Sequence, residues 1–281
     1  MDRGDGGVGE LSMKTLYITD LDGTLLGDGA KLSDFTRDTI NRLVDGGMNF
    51  TLATARSYGS AGEVTKGLKT SAPAVLMNGV FLYELADKRA VNVFRYPDGV
   101  AEKVIDAFRA EGCDPNVYSY TDDIDIQFGK DPTDYETEFF ERRKKLFKVY
   151  STVENYNCDN VIYINRVNRY DLLRKIADRI DKIDGADYVL YADNYSDYYF
   201  LEVFSAKANK KAGIELLRQM GYEKIVAFGD NYNDLGMFEA ADLSVAVGNA
   251  CDEVKNAADI VIEKNTEDGV AKFLLQCVEK A

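Results

Sequence analysis

In "YITDLDGTL", residues 17–25, two aspartates, Asp20 and Asp22, stand one residue apart where an apolar run gives way to a Gly-Thr turn. Further along, short apolar runs end in "LATARS", with Thr54 and Arg56, in "LMNG", with Asn78 and Gly79, and in "GDNYND", with Asp230, Asn233 and Asp234. Lys210 opens a helical stretch after another β-prone run. Carboxylates gathered at neighbouring strand ends repel one another unless a cation stands between them, and a set of oxygen ligands without nitrogen or sulfur selects Mg2+. Asp20 and Asp230 are the expected direct ligands, with Asp234 behind them orienting bound water. The chemistry such a set suits is phosphoryl transfer. A carboxylate at the strand end can attack phosphorus and form an aspartyl phosphate. Asp22, aimed beside the leaving oxygen, can protonate it and later take a proton from the attacking water. Gly23 lets the chain turn sharply with its backbone near the phosphate, and Thr24 adds a hydroxyl at the same turn. Thr54 can donate to a phosphoryl oxygen, and Lys210 supplies the positive charge a dianion needs.

Composition narrows the alternatives. The 281 residues include no histidine, which excludes Ser-His-Asp and Cys-His catalysis and histidine-ligated zinc, so proton transfer falls to carboxylates, lysine or tyrosine. The formal net charge of −14 opposes binding to nucleic acid or to anionic membrane, and no apolar run is long enough to span a bilayer. Cys113, Cys158, Cys251 and Cys277 form no C-x-x-C pair and read as reduced thiols in a cytoplasm. The expected partner is a small phosphorylated metabolite, and nothing in the sequence calls for an obligatory protein partner. Residues 1–12 are polar and Gly-rich and read as a tail, an alternative start or a cloning remnant. Gly4, Gly6 and Gly9 there satisfy G-x-G-x-x-G without the flanking strand and helix that a dinucleotide site needs.

The elements that must carry these residues follow from periodicity. "KTLYIT" reads as a buried strand, Ser33 as an N-cap, and Phe35, Ile40, Leu43 and Val44 as a helical stripe ended by Gly46-Gly47 before the strand "NFTLAT". The far end repeats this rhythm, with a helix from about Asn209 to Gly221 and the short strands "KIVAF", "SVAV" and "DIVI". Such alternation predicts an α/β, doubly wound parallel sheet. Between them, paired runs such as "FLYEL" with "VNVFRY" and "VYSY" with "IDIQF" predict hairpins. The expected organisation is therefore a Rossmann-like core of residues 13–80 and 203–281 with an α+β domain, 81–202, inserted into it.

"DLDGTL", "LATARS", Lys210 ahead of its helix and "GDNYND" resemble, in order, the four motifs of the haloacid dehalogenase superfamily of phosphatases. The long insertion between the second and third motifs is similar to the large cap of its Cof-type sugar-phosphatase-like hydrolases. The segment "AVGNACDEVKNAADIVIEKNTEDGVAKFL" resembles the end of that group. The resemblance implies that Asp20 is nucleophile and magnesium ligand, that Asp22 is the acid/base whose backbone carbonyl also meets the metal, and that Asp230 is the third protein ligand. It gives Thr54 and Lys210 to the phosphoryl group, has Asn233 and Asp234 support the metal site, and places Asn78 in the pocket wall. Gly23, Thr24, Arg56, Gly79 and Asn233 are further candidates for substrate contact. Ala55 and Lys211 depart from the family pattern, each standing where glycine is common.

Two alternatives remain open on the sequence. A phosphomutase of the same superfamily would share the first motifs and the large insertion, and a non-catalytic phospho-aspartate module would share the acidic pocket with Mg2+. The second needs neither an insertion of this length nor an acid at Asp22. The stretch "YADNYSDYYF", residues 191–200, reads as cap strand with alternating buried rings rather than as a sugar-binding surface.

Overall fold

The computed structural model describes residues 14–143, 148–150, 153–193 and 196–279, and the expected tail lies outside them. The chain begins with strand β1 (Thr15–Thr19), helix α1 (Asp34–Asp45) and strand β2 (Asn49–Leu52), followed by α2 (Tyr58–Val64) and β3 (Ala74–Leu76). The Ser33 hydroxyl accepts from Thr36 N–H at 2.9 Å, as an N-cap should, and α1 turns Ile40 and Leu43 inward.

A hairpin follows, β4 (Phe81–Glu84) and β5 (Arg89–Val93). It pairs antiparallel to β3, so its hydrogen bonds run to the core side of the expected boundary at residues 80/81. Then come α3 (Val100–Arg109), β6 (Asn116–Tyr120), β7 (Ile124–Gln127), α4 (Asp134–Arg143), β8 (Lys148–Tyr150), β9 (Val161–Asn168), α5 (Tyr170–Ile180), β10 (Ala186–Ala192) and β11 (Tyr199–Ser205). The chain returns through α6 (Lys210–Gln219), β12 (Lys224–Gly229), α7 (Leu235–Ala240), β13 (Leu243–Ala246), α8 (Asp252–Ala257), β14 (Ile260–Val261) and α9 (Gly269–Glu279).

The core sheet is parallel throughout, in the order β14-β13-β12-β1-β2. Leu16, Ile18, Phe50, Leu52, Ile225 and Phe228 are fully buried, which is why these strands read as continuous apolar runs rather than as alternating ones. The chain winds from β1 to β2 in one direction and from β12 to β14 in the other. The carboxyl ends of β1 and β12 therefore flank the point where strand order reverses, the place at which open α/β sheets bind ligands.

The second sheet, β10-β11-β9-β6-β7-β8, is antiparallel except for its β7–β8 pair and forms the cap. Helices α3 and α5 cover one face, where Val104, Phe108, Leu173 and Ile176 pack against Ile164 and Leu201. On the other face Tyr118, Ile126, Tyr163 and Phe204 join the apolar cluster of the core itself, with Val80 and Phe81. Full burial of one such side chain is worth about 1.5–3 kcal/mol, so this shared seam holds the cap sheet against the core.

Candidate active site

Thr19 ends β1, but the ladder runs one residue further, since Asp20 N–H donates to the Phe228 carbonyl at 3.0 Å. That bond sets the Asp20 carboxylate at the mouth of the crevice, where the residue is 5% exposed. Beyond it the backbone N–H groups of Leu25 and Leu26 fold back onto the Leu21 carbonyl, closing a tight loop that contains Asp22, Gly23 and Thr24. Gly23 adopts φ +85°, and a Cβ there would sit 2.3 Å from Asp230 Oδ2. The glycine is required both by its backbone conformation and by the carboxylate lying against it.

Lys210, the first residue of α6, is buried, and its ammonium bridges two carboxylates, at 2.7 Å to Asp20 Oδ1 and 2.6 Å to Asp234 Oδ1. The Asn209 side chain caps the helix by accepting from Ala212 N–H. Asp230 follows β12, and its Oδ1 accepts the Thr24 hydroxyl at 2.7 Å. Asp234 Oδ2 accepts the backbone N–H groups of Asp230 and Asn231 at 2.9 and 3.1 Å, so both oxygens of Asp234 are engaged. Asp20, Asp230 and Asp234 each bring a carboxylate oxygen to within 4.8 Å of the others.

Electrostatics follow from this crowding. Burial above all, with the charges of Asp234 and Asp230, holds the Asp20 carboxyl well above its usual range against the pull of Lys210. Asp230 is pushed up to about 6, mainly by burial, while the Thr24 hydrogen bond works the other way. Burial by itself disfavours the Lys210 ammonium, but Asp20 and Asp234 outweigh it and raise the group above the ordinary lysine range. Two oxygen-bearing groups whose ionised forms are disfavoured, with a third carboxylate already satisfied behind them, are a fitting donor set for a hard divalent cation. Asp20 and Asp230 would hold it, and Asp234 fixes the Asp230 backbone and Lys210.

The expected phosphoryl-binding and pocket residues gather at the same end of the sheet. Thr54 is buried; its hydroxyl oxygen accepts Arg56 N–H at 3.2 Å, which leaves its own proton to donate. Arg56 forks onto Asp22, with 2.6 Å from Nε to Oδ2 and 2.6 Å from the guanidinium to Oδ1, and reaches Ser60 Oγ at 3.0 Å. The arginine thus meets the expected acid/base and orients it. Asp22 keeps half its side chain exposed, as a group that meets an incoming leaving oxygen must. Asn78 and Gly79 form a turn against the Thr54 carbonyl and the Asn209 backbone. Asn233 sits exposed on the turn that leads into Asp234.

The two departures from the family pattern are accommodated. Ala55 does not take a positive φ, and Lys211 points outward, 46% exposed, to an ion pair with Glu239 at 3.4 Å. Three contributors went unmarked in the sequence. Asn231 forms a capping box with Asp234, and Asn249 Nδ2 donates to the Gly23 carbonyl at 2.8 Å. Glu202 of β11 accepts from Asn78. The signal for Glu202 was available, since an acidic residue interrupts the buried run "YFLEVFS".

A family model of haloacid dehalogenase-like hydrolases matches residues 17–274. The 5-amino-6-(5-phospho-D-ribitylamino)uracil phosphatase YitU of Bacillus subtilis (strain 168) is 28% identical over 266 residues, which span 92% of this chain and 96% of that protein. The pyridoxal phosphate phosphatase YbhA of Escherichia coli (strain K12) is 27% identical, over 91% of this chain and 95% of that one. The crystal structure of TM0651 from Thermotoga maritima superposes with a TM-score of 0.74 at 26% identity, covering 94% of this chain and 97% of that one.

Proposed function

The chain belongs to the haloacid dehalogenase-like hydrolases, and from that premise we propose that it is a Mg2+-dependent phosphatase acting on small phosphorylated metabolites, sugar phosphates or similar monoesters, through an aspartyl phosphate. The observation that carries the reading is the buried Asp20–Lys210–Asp234 bridge with Asp230 across from it and Asp22 half-exposed beside it. Asp20 attacks phosphorus as the ester P–O bond breaks, and Asp22 gives its proton to the departing oxygen. Water then attacks the same phosphorus, Asp22 takes its proton, and the bond to Asp20 breaks to release phosphate. Thr54 and Lys210 hold the phosphoryl oxygens throughout, in a site where burial strengthens each contact. Magnesium, bound by Asp20 and Asp230, supplies neutralisation of the phosphoryl charge.

YitU and YbhA are named for phosphomonoesters of small heterocyclic metabolites, which supports a substrate of that size. The core is taken as residues 13–80 and 203–281, with 81–202 the specificity-setting cap. No helix among the described residues is long and apolar enough to cross a membrane. The described cysteines are free thiols, which supports a reducing compartment such as the cytoplasm. The test is turnover of an aryl phosphate and of a panel of phosphorylated metabolites with magnesium and with excess chelator. Asp20→Asn is expected to lose nearly all activity while keeping its fold. Turnover undiminished by chelator, or retained by the variant, would refute the proposal.

A further inference from the structure

Met77, Asn78 and Gly79 are three successive residues in the left-handed region, at φ 50°, 54° and 104°. For methionine that backbone is strained and for asparagine it is tolerated, so the pair of conformations persists only where the surroundings over-determine it. Part of what holds the turn lies in the core. Met77 N–H donates to the Arg56 carbonyl at 3.0 Å and Asn78 N–H to the Thr54 carbonyl at 3.1 Å. The Gly79 α-carbon lies so close to Asn209 that a Cβ would come within 2.3 Å of its carbonyl oxygen. One strained turn therefore braces both the loop that carries Thr54 and the cap of the helix that carries Lys210.

The remaining restraint comes from the cap sheet. Asn78 Nδ2 donates to Glu202 Oε2 at 3.2 Å, and both residues are buried. The second oxygen, Oε1, accepts the Tyr191 hydroxyl at 2.9 Å, and the Tyr163 hydroxyl bonds the same carboxylate. A buried carboxylate saturated by two cap tyrosines and one core asparagine is placed to fix a neighbour rather than to meet a ligand.

We propose that Glu202 is a positioning residue of the phosphoryl site, which holds Asn78 in its left-handed conformation and through it keeps Thr54 and Lys210 in register with Asp20. The proposal rests on the phosphatase reading for its catalytic consequence, and on the turn alone for its structural one. Displacing phosphoryl-binding groups by a fraction of an ångström to one ångström costs up to roughly a hundredfold in rate. Glu202→Ala is therefore expected to lower kcat roughly ten- to a hundredfold, by the same factor for an aryl phosphate and for a sugar phosphate. Glu202→Gln, which keeps an oxygen for Asn78 and an amide for the tyrosine oxygens, should restore most of that loss. Glu202→Ala combined with Asn78→Ala should be no slower than Asn78→Ala alone.

Amide hydrogen exchange supplies a readout independent of turnover. In Glu202→Ala, exchange at residues 77–80 should accelerate while the helices α3 and α5 keep their protection, and Glu202→Gln should exchange as the unsubstituted protein does. Unchanged exchange at 77–80 would overturn the proposal. So would a loss confined to KM for the sugar phosphate, which would put Glu202 on the leaving group, or additive losses in the double variant. If the unsubstituted protein turned over no phosphomonoester, the phosphatase reading would fall, and the exchange experiment would still decide the role of Glu202.

Discussion

Replacing Asp230 by asparagine should stabilise the metal-free protein, and the gain should grow with pH. The carboxyl titrates near 3.8 when unfolded and at about 6 in the folded protein, mainly because it is buried. Between these values the folded state binds the extra proton, so stability falls as pH rises through the window from about 4 to about 6. At pH 7 the folded chain carries the full penalty of the buried charge, about 3 kcal/mol at one decade per 1.36 kcal/mol, while at pH 4 the penalty is under about 1 kcal/mol. Asparagine keeps an oxygen for the Thr24 hydroxyl, which now donates at 2.7 Å to Oδ1, and removes the charge. Urea titrations of both proteins in chelator at pH 4, 5.5 and 7 should show the gap between them opening with pH. Saturating magnesium should then close it, by stabilising the protein that retains Asp230 and leaving the variant nearly unmoved, since a ligand stabilises only the state that binds it. A variant less stable than its parent at pH 7 in chelator, or a gap that shrinks with rising pH, would refute the electrostatic account of this site.

Asp22→Asn should slow sugar phosphates far more than aryl phosphates, because a phenolate leaves without a proton and an alkoxide does not; equal losses on both, measured by steady-state kinetics with acid-quench trapping of phosphoprotein, would move the acid/base role elsewhere. Gly23→Ala should weaken magnesium binding and lower the unfolding free energy by about 1–3 kcal/mol, since it forces a side chain onto Asp230 and a left-handed backbone onto alanine. Isothermal titration with magnesium and a urea melt check this, and unchanged values for both would contradict the close packing of that loop.

The catalytic end of the core was readable because its strands are buried on both faces and stop abruptly. A run such as "KIVAFGD" announces both the strand and the residue at its end. Asp20, Thr54 and Asp230 stand just past such stops, Lys210 opens the helix α6 instead, and the structure gathers all four. Helix α2 was not readable, since "YGSAGEV" carries no apolar stripe and is held by the Ser57 cap and by burial of Ser60 and Ala61. Helix α4, "DYETEFFERR", crowds charges around aromatics, and its order comes from Tyr135 and Phe139 packing on Phe200, a contact between distant parts of the chain. Asn231 and Asn249 gave no signal, because a lone asparagine in a polar loop is indistinguishable from a spacer until its backbone partner is known. Arg56 was legible as a site residue but not in its partner, because its fork onto Asp22 depends on the angle between two loops.

The strand order has a consequence for how the chain emerges from the ribosome. β1 lies between β2 and β12, so one long edge of the central strand stays open until β12 has been made. Roughly 170 residues separate Leu52 from Lys224, which at about 5–20 residues per second is roughly 10–35 s of synthesis. During that interval the β1 backbone groups that pair with Lys224–Phe228 have no partner, while the six-stranded sheet with α3 and α5 is completed and can bury its own apolar cluster first. The nascent chain thus leaves the backbone edge of β1 without its β12 partner throughout that interval, and that edge is what a cotranslational chaperone would have to guard.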